Sequence, residues 1–148
     1  MYTRILVPVD HSDTSQAALQ EATRLAGEQH AIVRLIHVID LAQFAWSANE
    51  FLDVPQLQAS LKEGGEKLLA ERAALLQEKN IQVETELLEI WGGQIARTLV
   101  DDAAKWQAHL LVMGTHGYGG LTHMLLGSVA EGVMRHTHIP VLLVKASA

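Results

Sequence analysis

Along the chain, short apolar runs alternate with stretches whose apolar residues recur every three or four positions. RILVPV (4–9), IVRLIHVI (32–39), IQVETELL (81–88), HLLVMG (109–114) and IPVLLV (139–144) read as five strands. Several are almost continuously apolar, as strands covered on both faces are. The third sets Ile81, Val83 and Leu87 against charged neighbours, the pattern of an edge strand.

Four helices fall between these runs. The first spans about 14–26, with Asp13 and Gln16 as a capping-box-like pair and Gly27 as its left-handed end. The second, about 55–79, carries Leu57, Leu61, Leu68, Leu69, Leu75 and Leu76 along one side. Its Gly64-Gly65 pair, at roughly 1 kcal/mol per interior glycine, marks a place for a kink or break. The third, about 93–106, lines up Ile95, Leu99, Ala103 and Trp106 after a Trp91-Gly92-Gly93 turn, and the fourth runs from Ser128 to Arg135 or His136.

This alternation predicts an α/β fold, a parallel sheet with helices on both faces joined by right-handed crossovers. Segment 40–54 reads as irregular and carries Phe44, Trp46 and Phe51, which either pack on the domain's own surface or form a lid or partner interface. With 148 residues and neither linker nor repeat, the expectation is a single domain.

Composition narrows the function classes. There is no cysteine, so thiolate chemistry and disulfides are excluded. Eleven Lys and Arg are scattered singly against a net charge of −6, which disfavours nucleic acid. The start of the chain shows no signal-peptide core and no run approaches about 18 apolar residues, so a cytoplasmic location is expected.

In open parallel sheets ligands bind beyond the carboxyl ends of the strands, where the strand order reverses. Pro8-Val9-Asp10 closes the first strand; proline stops regular pairing there and leaves Asp10 either to face a crevice or to cap the turn. The second strand ends near His37-Val38, whose backbone could bond the edge of a planar base. The fourth ends at Met113-Gly114 and opens a loop with five glycines in sixteen positions, MGTHGYGGLTHMLLGS. Gly114 and Gly117 would admit a ligand close to the backbone, Gly119-Gly120 would allow positive φ, and Gly127-Ser128 would place a helix N-terminus beside an anion.

Neither G-x-x-x-x-G-K-[ST] nor G-x-G-x-x-G occurs, and 106–134 contains no Lys or Arg. Such a loop suits holding phosphates better than transferring them, which needs cationic clamps and a positioned base.

Together these residues resemble the universal stress protein family, over essentially the whole chain. MYTRILVPVDHSDTSQAAL is similar to its opening strand and helix, and Gly114-x2-Gly117-x9-Gly127-Ser128 matches the signature of its nucleotide-binding branch. The resemblance implies a three-layer sandwich with a five-stranded parallel sheet of order 3-2-1-4-5 and four helices. It implies a homodimer through the last strand, Val141, Leu142, Leu143 and Val144. It also implies ATP, commonly with Mg²⁺ or Mn²⁺, in a regulator that is at most a slow ATPase. By the family pattern Pro8 and Val38 would meet the adenine region and Asp10 the ribose, with Val9 in the same site. Met113, Gly114, Thr115, His116, Gly117, Tyr118, Gly119 and Gly120 would wrap ribose and phosphates, and Gly127, Ser128, Val129 and Ala130 would bind the phosphates.

Other classes fit less well. A receiver domain needs an aspartate after strand three, where this chain has Glu89-Ile90-Trp91-Gly92, and His11-Ser12-Asp13 is not an adenylyl-transfer motif. His136-x-His138, His116 and His123 have no cysteine and no adjacent acid to complete a metal site; they read as surface or helix-end histidines, with His116 a candidate pH sensor near phosphate. Asp101-Asp102 and Glu84/Glu86 read as solvated faces. The competing function is a non-nucleotide dimeric module that binds protein partners through 40–54.

Overall fold

The structure is a computed structural model that describes residues 1–47, 53–116 and 126–146, the side chains of 45–47 excepted. Its elements run β1 (Arg4–Pro8), α1 (Asp13–Gln29), β2 (Ile32–Asp40), α2 (Leu41–Ser47), α3 (Val54–Gln77), β3 (Val83–Ile90), α4 (Ile95–Trp106), β4 (Leu110–Gly114), α5 (Ser128–His136) and β5 (Val141–Val144). All pairings are parallel, in the order β3-β2-β1-β4-β5. The order expected from the family resemblance is therefore present, with β3 on an edge as its alternating pattern required.

Strand alternation divides the core in two. Ile5, Val7, Val33, Leu35, Leu110 and Val112 point to one face and are covered by α1 and α3. Leu6, Ile36, Leu111 and Met113 point to the other and are covered by α4 and α5. Each fully buried Leu or Ile contributes roughly 1.5–3 kcal/mol. The continuous apolar runs of β1 and β4 are what a central strand needs to satisfy both layers.

Local details depart from the sequence expectations for identifiable reasons. α1 is capped by Ser12, whose Oγ accepts the Ser15 amide at 3.1 Å; Asp13 sits in the first turn, where its charge suits the helix dipole. The helix passes through Gly27 and ends at His30, with φ 53°, because the Ala31 amide closes the last turn on the Ala26 carbonyl and Ala31 is buried. α3 is continuous across Gly64-Gly65. A Cβ on Gly65 would lie 2.6 Å from Leu87 Cδ1 and 2.8 Å from His37 Cδ2, so this glycine marks the helix's close crossing over the sheet.

Segment 40–54 contains a fifth helix, α2, that the irregular reading did not anticipate. Asp40 Oδ1 accepts the Ala42 amide at 3.1 Å and the Gly92 amide at 2.9 Å, starting α2 and tying it to the turn after β3. In that turn Gly92 and Gly93 take φ of +80° and +88°. Phe44 and Trp91 are exposed, Trp91 by 60%; Phe51 and the Trp46 side chain lie outside the described residues.

Asp102 is not a solvated charge. Arg34 Nε and Nη2 meet its two carboxylate oxygens at 2.9 and 3.0 Å, both side chains being under 15% exposed, and Arg34 Nη1 meets Glu84 at 2.9 Å. The hydrogen bond to Asp102 raises the Arg34 guanidinium above its ordinary value, against burial, which lowers it. A raised cation stabilises the fold below its ordinary value and loses that contribution only above it, so the clamp is constant near neutrality.

Candidate functional site

β1 and β4 are neighbours whose crossovers leave in opposite directions, so the chain divides between them at their carboxyl ends. β1 stops at Pro8. The Val9 amide makes one further bond to the Ile36 carbonyl at 2.8 Å, and the Val9 carbonyl accepts His37 Nδ1–H at 2.8 Å. From Asp10 the chain turns away, while β2 continues to Asp40 against β3, beyond the His37-Val38 end expected from sequence. Strand alternation puts the Val38 N–H and C=O on the side that β1 has left, as it does those of Ile36.

A cavity of about 120 Å³ fills this space. Pro8, Val9, Asp10, Val38, Met113, Gly114, His116, Val129 and Ala130 of the expected residues line it, together with Ser12, Ser15, Ile36, His37, Ile95 and Leu99. Its floor is the apolar α4/α5 layer, through Ile36, Leu99, Met113 and Ala130. Asp10 performs both roles considered for it. It lines the cavity, and its Oδ1 accepts the Ser12 amide at 2.8 Å and the Ser12 hydroxyl at 2.5 Å, while its own amide donates to Ser15 Oγ at 3.0 Å.

Between the lining residues Gly114 and His116, Thr115 is 4% exposed and anchored twice: its amide donates to the Val144 carbonyl at 3.0 Å, and its carbonyl accepts the Gly127 amide at 2.7 Å. Thr115 Oγ1 lies 3.1 Å from His116 Nδ1. Gly127 is the cap residue of α5 and supplies no side chain, so the amides of Ser128, Val129 and Ala130 begin a helix without a side-chain cap from that residue. α4 likewise starts at Gln94 with no side-chain cap. The positive ends of two helices thus meet the cavity through Ile95 and through Val129 and Ala130.

Gly114 has a reason beyond ligand access. A Cβ there would lie 2.4 Å from Thr14 Oγ1 and 2.7 Å from the Thr14 backbone carbon. Gly117, Tyr118, Gly119, Gly120 and His123 lie outside the described residues. No lining residue is Lys or Arg, and among the described residues no group of three His, Cys, Asp or Glu is placed to hold a metal.

The sequence reading missed Ile36, named His37 only as a strand end, and missed two pairs, Ser12 with Ser15 and Ile95 with Leu99. The first pair carried a usable signal, two hydroxyls three residues apart straight after Asp10. The second pair is an i, i+4 apolar repeat that any core helix shows.

A model of the universal stress protein family matches residues 1–145. Universal stress protein MJ0531 of Methanocaldococcus jannaschii is 39% identical over 145 residues, covering 98% of this chain and 83% of that protein. The solved structure of MJ0577, from the same organism, superimposes with a TM-score of 0.86 at 29% identity, covering 100% and 99% of the two chains. A universal stress protein from Archaeoglobus fulgidus, solved in complex with dAMP, shares the fold with a TM-score of 0.68 at 21% identity over 97% and 98%.

Proposed function

The chain belongs to the universal stress protein family, and from that premise we propose that the cavity at the β1/β4 division binds an adenine nucleotide, ATP in the first place. One observation carries the reading: a single cavity is lined by Val38 at the end of β2, by Asp10 and by the first turn of α5, whose cap residue Gly127 has no side chain. A planar base would pack in the cavity and bond the Val38 backbone; a phosphate would meet the amides of Ser128, Val129 and Ala130. Asp10 lines the same cavity, where a ribose hydroxyl would meet its carboxylate. The dAMP complex of the Archaeoglobus fulgidus protein shows that a chain of this fold takes such a ligand.

The residues fit a nucleotide better than a resident metal. Asp10 is the cavity's one carboxylate among the described lining residues, so Mg²⁺ or Mn²⁺ would arrive on the phosphates and keep most of its waters. With no Lys or Arg from 106 to 134, the site holds phosphate by amides and dipole. The protein is then a nucleotide-dependent regulator in the cytoplasm, hydrolysing ATP slowly if at all. Among the described residues no helix is long and apolar enough to cross a membrane. A second copy would pair along β5, whose four apolar residues are all half-buried on the open edge of the sheet.

The test is thermal unfolding with and without MgATP. Ligand at 100 times its dissociation constant stabilises by about 2.7 kcal/mol, a shift of several degrees at this size. The expected result is a shift in the wild type that Gly117→Asp abolishes. No shift at millimolar MgATP overturns the nucleotide reading and directs attention to protein partners at Phe44 and Trp91.

A further inference from the structure

The first turn of α1 carries three hydroxyls, and two of them serve the helix and its approach. Ser12 caps the turn, and Ser15 receives the Asp10 amide. The third leaves the helix: Thr14 Oγ1 donates to the carbonyl of His116. Proton counting fixes that direction. The Ser12 proton lies on Asp10 Oδ1, a carbonyl can only accept, and so the 3.5 Å approach of the Ser12 and Thr14 oxygens carries neither proton.

β4 is built to meet this hydroxyl. Gly114 lies so close to Thr14 that any Cβ would overlap its Oγ1, Cβ and backbone carbon. Residues 114–116 are thereby held from three directions, by Thr14 of α1, by the Val144 carbonyl of β5 and by the Gly127 amide that opens α5. Thr14 itself is not among the residues that line the cavity.

We propose that Thr14 is a positioning residue of the nucleotide site: its hydroxyl fixes the main chain at His116 and, through the Thr115–Gly127 bond, the start of α5 where phosphate would bind. This rests on the nucleotide reading above. Removing the hydroxyl leaves the His116 carbonyl without its α1 donor, a change that costs on the order of one hydrogen bond.

The experiment compares Thr14→Val, of matching shape without the hydroxyl, with Thr14→Ser, which keeps it. MgATP affinity is measured by calorimetry, the ligand-free unfolding midpoint is recorded, and amide exchange is followed at Gly127. Thr14→Val is expected to weaken MgATP about fivefold and to speed Gly127 exchange, with the midpoint lowered by no more than a few degrees, while Thr14→Ser restores all three. Unchanged affinity in Thr14→Val overturns the proposal. So does Thr14→Ser binding as weakly as Thr14→Val, or exchange that rises equally at amides throughout the sheet, which would make Thr14 a packing residue. If the wild type itself binds no MgATP, the nucleotide reading fails; unchanged Gly127 exchange in ligand-free Thr14→Val then overturns the clamp on its own.

Discussion

Of the helices that start at the carboxyl end of the sheet beside the cavity, α1 and α5 start in opposite ways. α1 is closed by its own chain: Ser12 caps it, the Asp10 carboxylate sits beneath the cap, and Asp13 adds charge to the first turn. α5 begins at a glycine with no side-chain cap. A helix N-terminus attracts an anion in either case. At α1 the protein supplies that anion; at α5 the cap residue supplies none, and the proposed phosphate would take that place. The choice is mild for stability, since glycine is only a few tenths of a kcal/mol worse than serine as a cap.

The contrast can be broken most strongly by making the second start like the first. Gly127→Asp places a favoured cap and a carboxylate where phosphate would lie. We expect MgATP affinity to fall about a hundredfold, near 2.7 kcal/mol, with the ligand-free midpoint unchanged or raised. A variant that binds normally would mean that the uncapped start serves packing alone.

Gly114→Ala attacks the contact that holds the two starts together. Overlap with the Thr14 backbone forces α1 and β4 apart, and we expect about 2 kcal/mol of destabilisation in urea unfolding. An unchanged denaturation midpoint would show that the two elements are not in the tight contact described.

At the closed start, Ser12→Ala is expected to lose about 1 kcal/mol of stability while MgATP affinity changes less than it does in Gly127→Asp. The reverse ranking, measured on the two variants side by side, would assign the anion site to α1. The smallest effect is at the other end of α1. Gly27 is interior to the helix, and nothing lies within 4 Å of an added Cβ. Gly27→Ala should therefore stabilise by about 0.5–1 kcal/mol, and a fall in thermal midpoint would contradict the helical Gly27.

Much of the fold was legible because the dominant signals are local. The runs at 4–9, 109–114 and 139–144 could only be strands covered by helices, and the alternation at 81–88 marked an edge. Boundaries were less legible. Gly27 looked like a helix end, yet the burial of Ala31 carried the helix on to Gln29. Gly65 looked like a break, yet it allows a close crossing over Leu87 and His37. Asp102 looked solvated because its partner, Arg34, lies on another element 68 residues away. α2 was hidden because its start depends on Asp40, which also holds a turn 52 residues on.

By itself the sequence determined the order of strands and helices, the acidic and cysteine-free chemistry, and the glycine and proline positions at which the sheet must open. Those follow from side-chain periodicity and backbone freedom, which each residue carries wherever it sits. Only the tertiary structure decided that Gly114 faces Thr14, that Thr115 joins β5 to the start of α5, and that Asp10 closes one helix while lining the cavity beside another. These are contacts between segments distant in the chain, and packing alone brings such segments within hydrogen-bond reach.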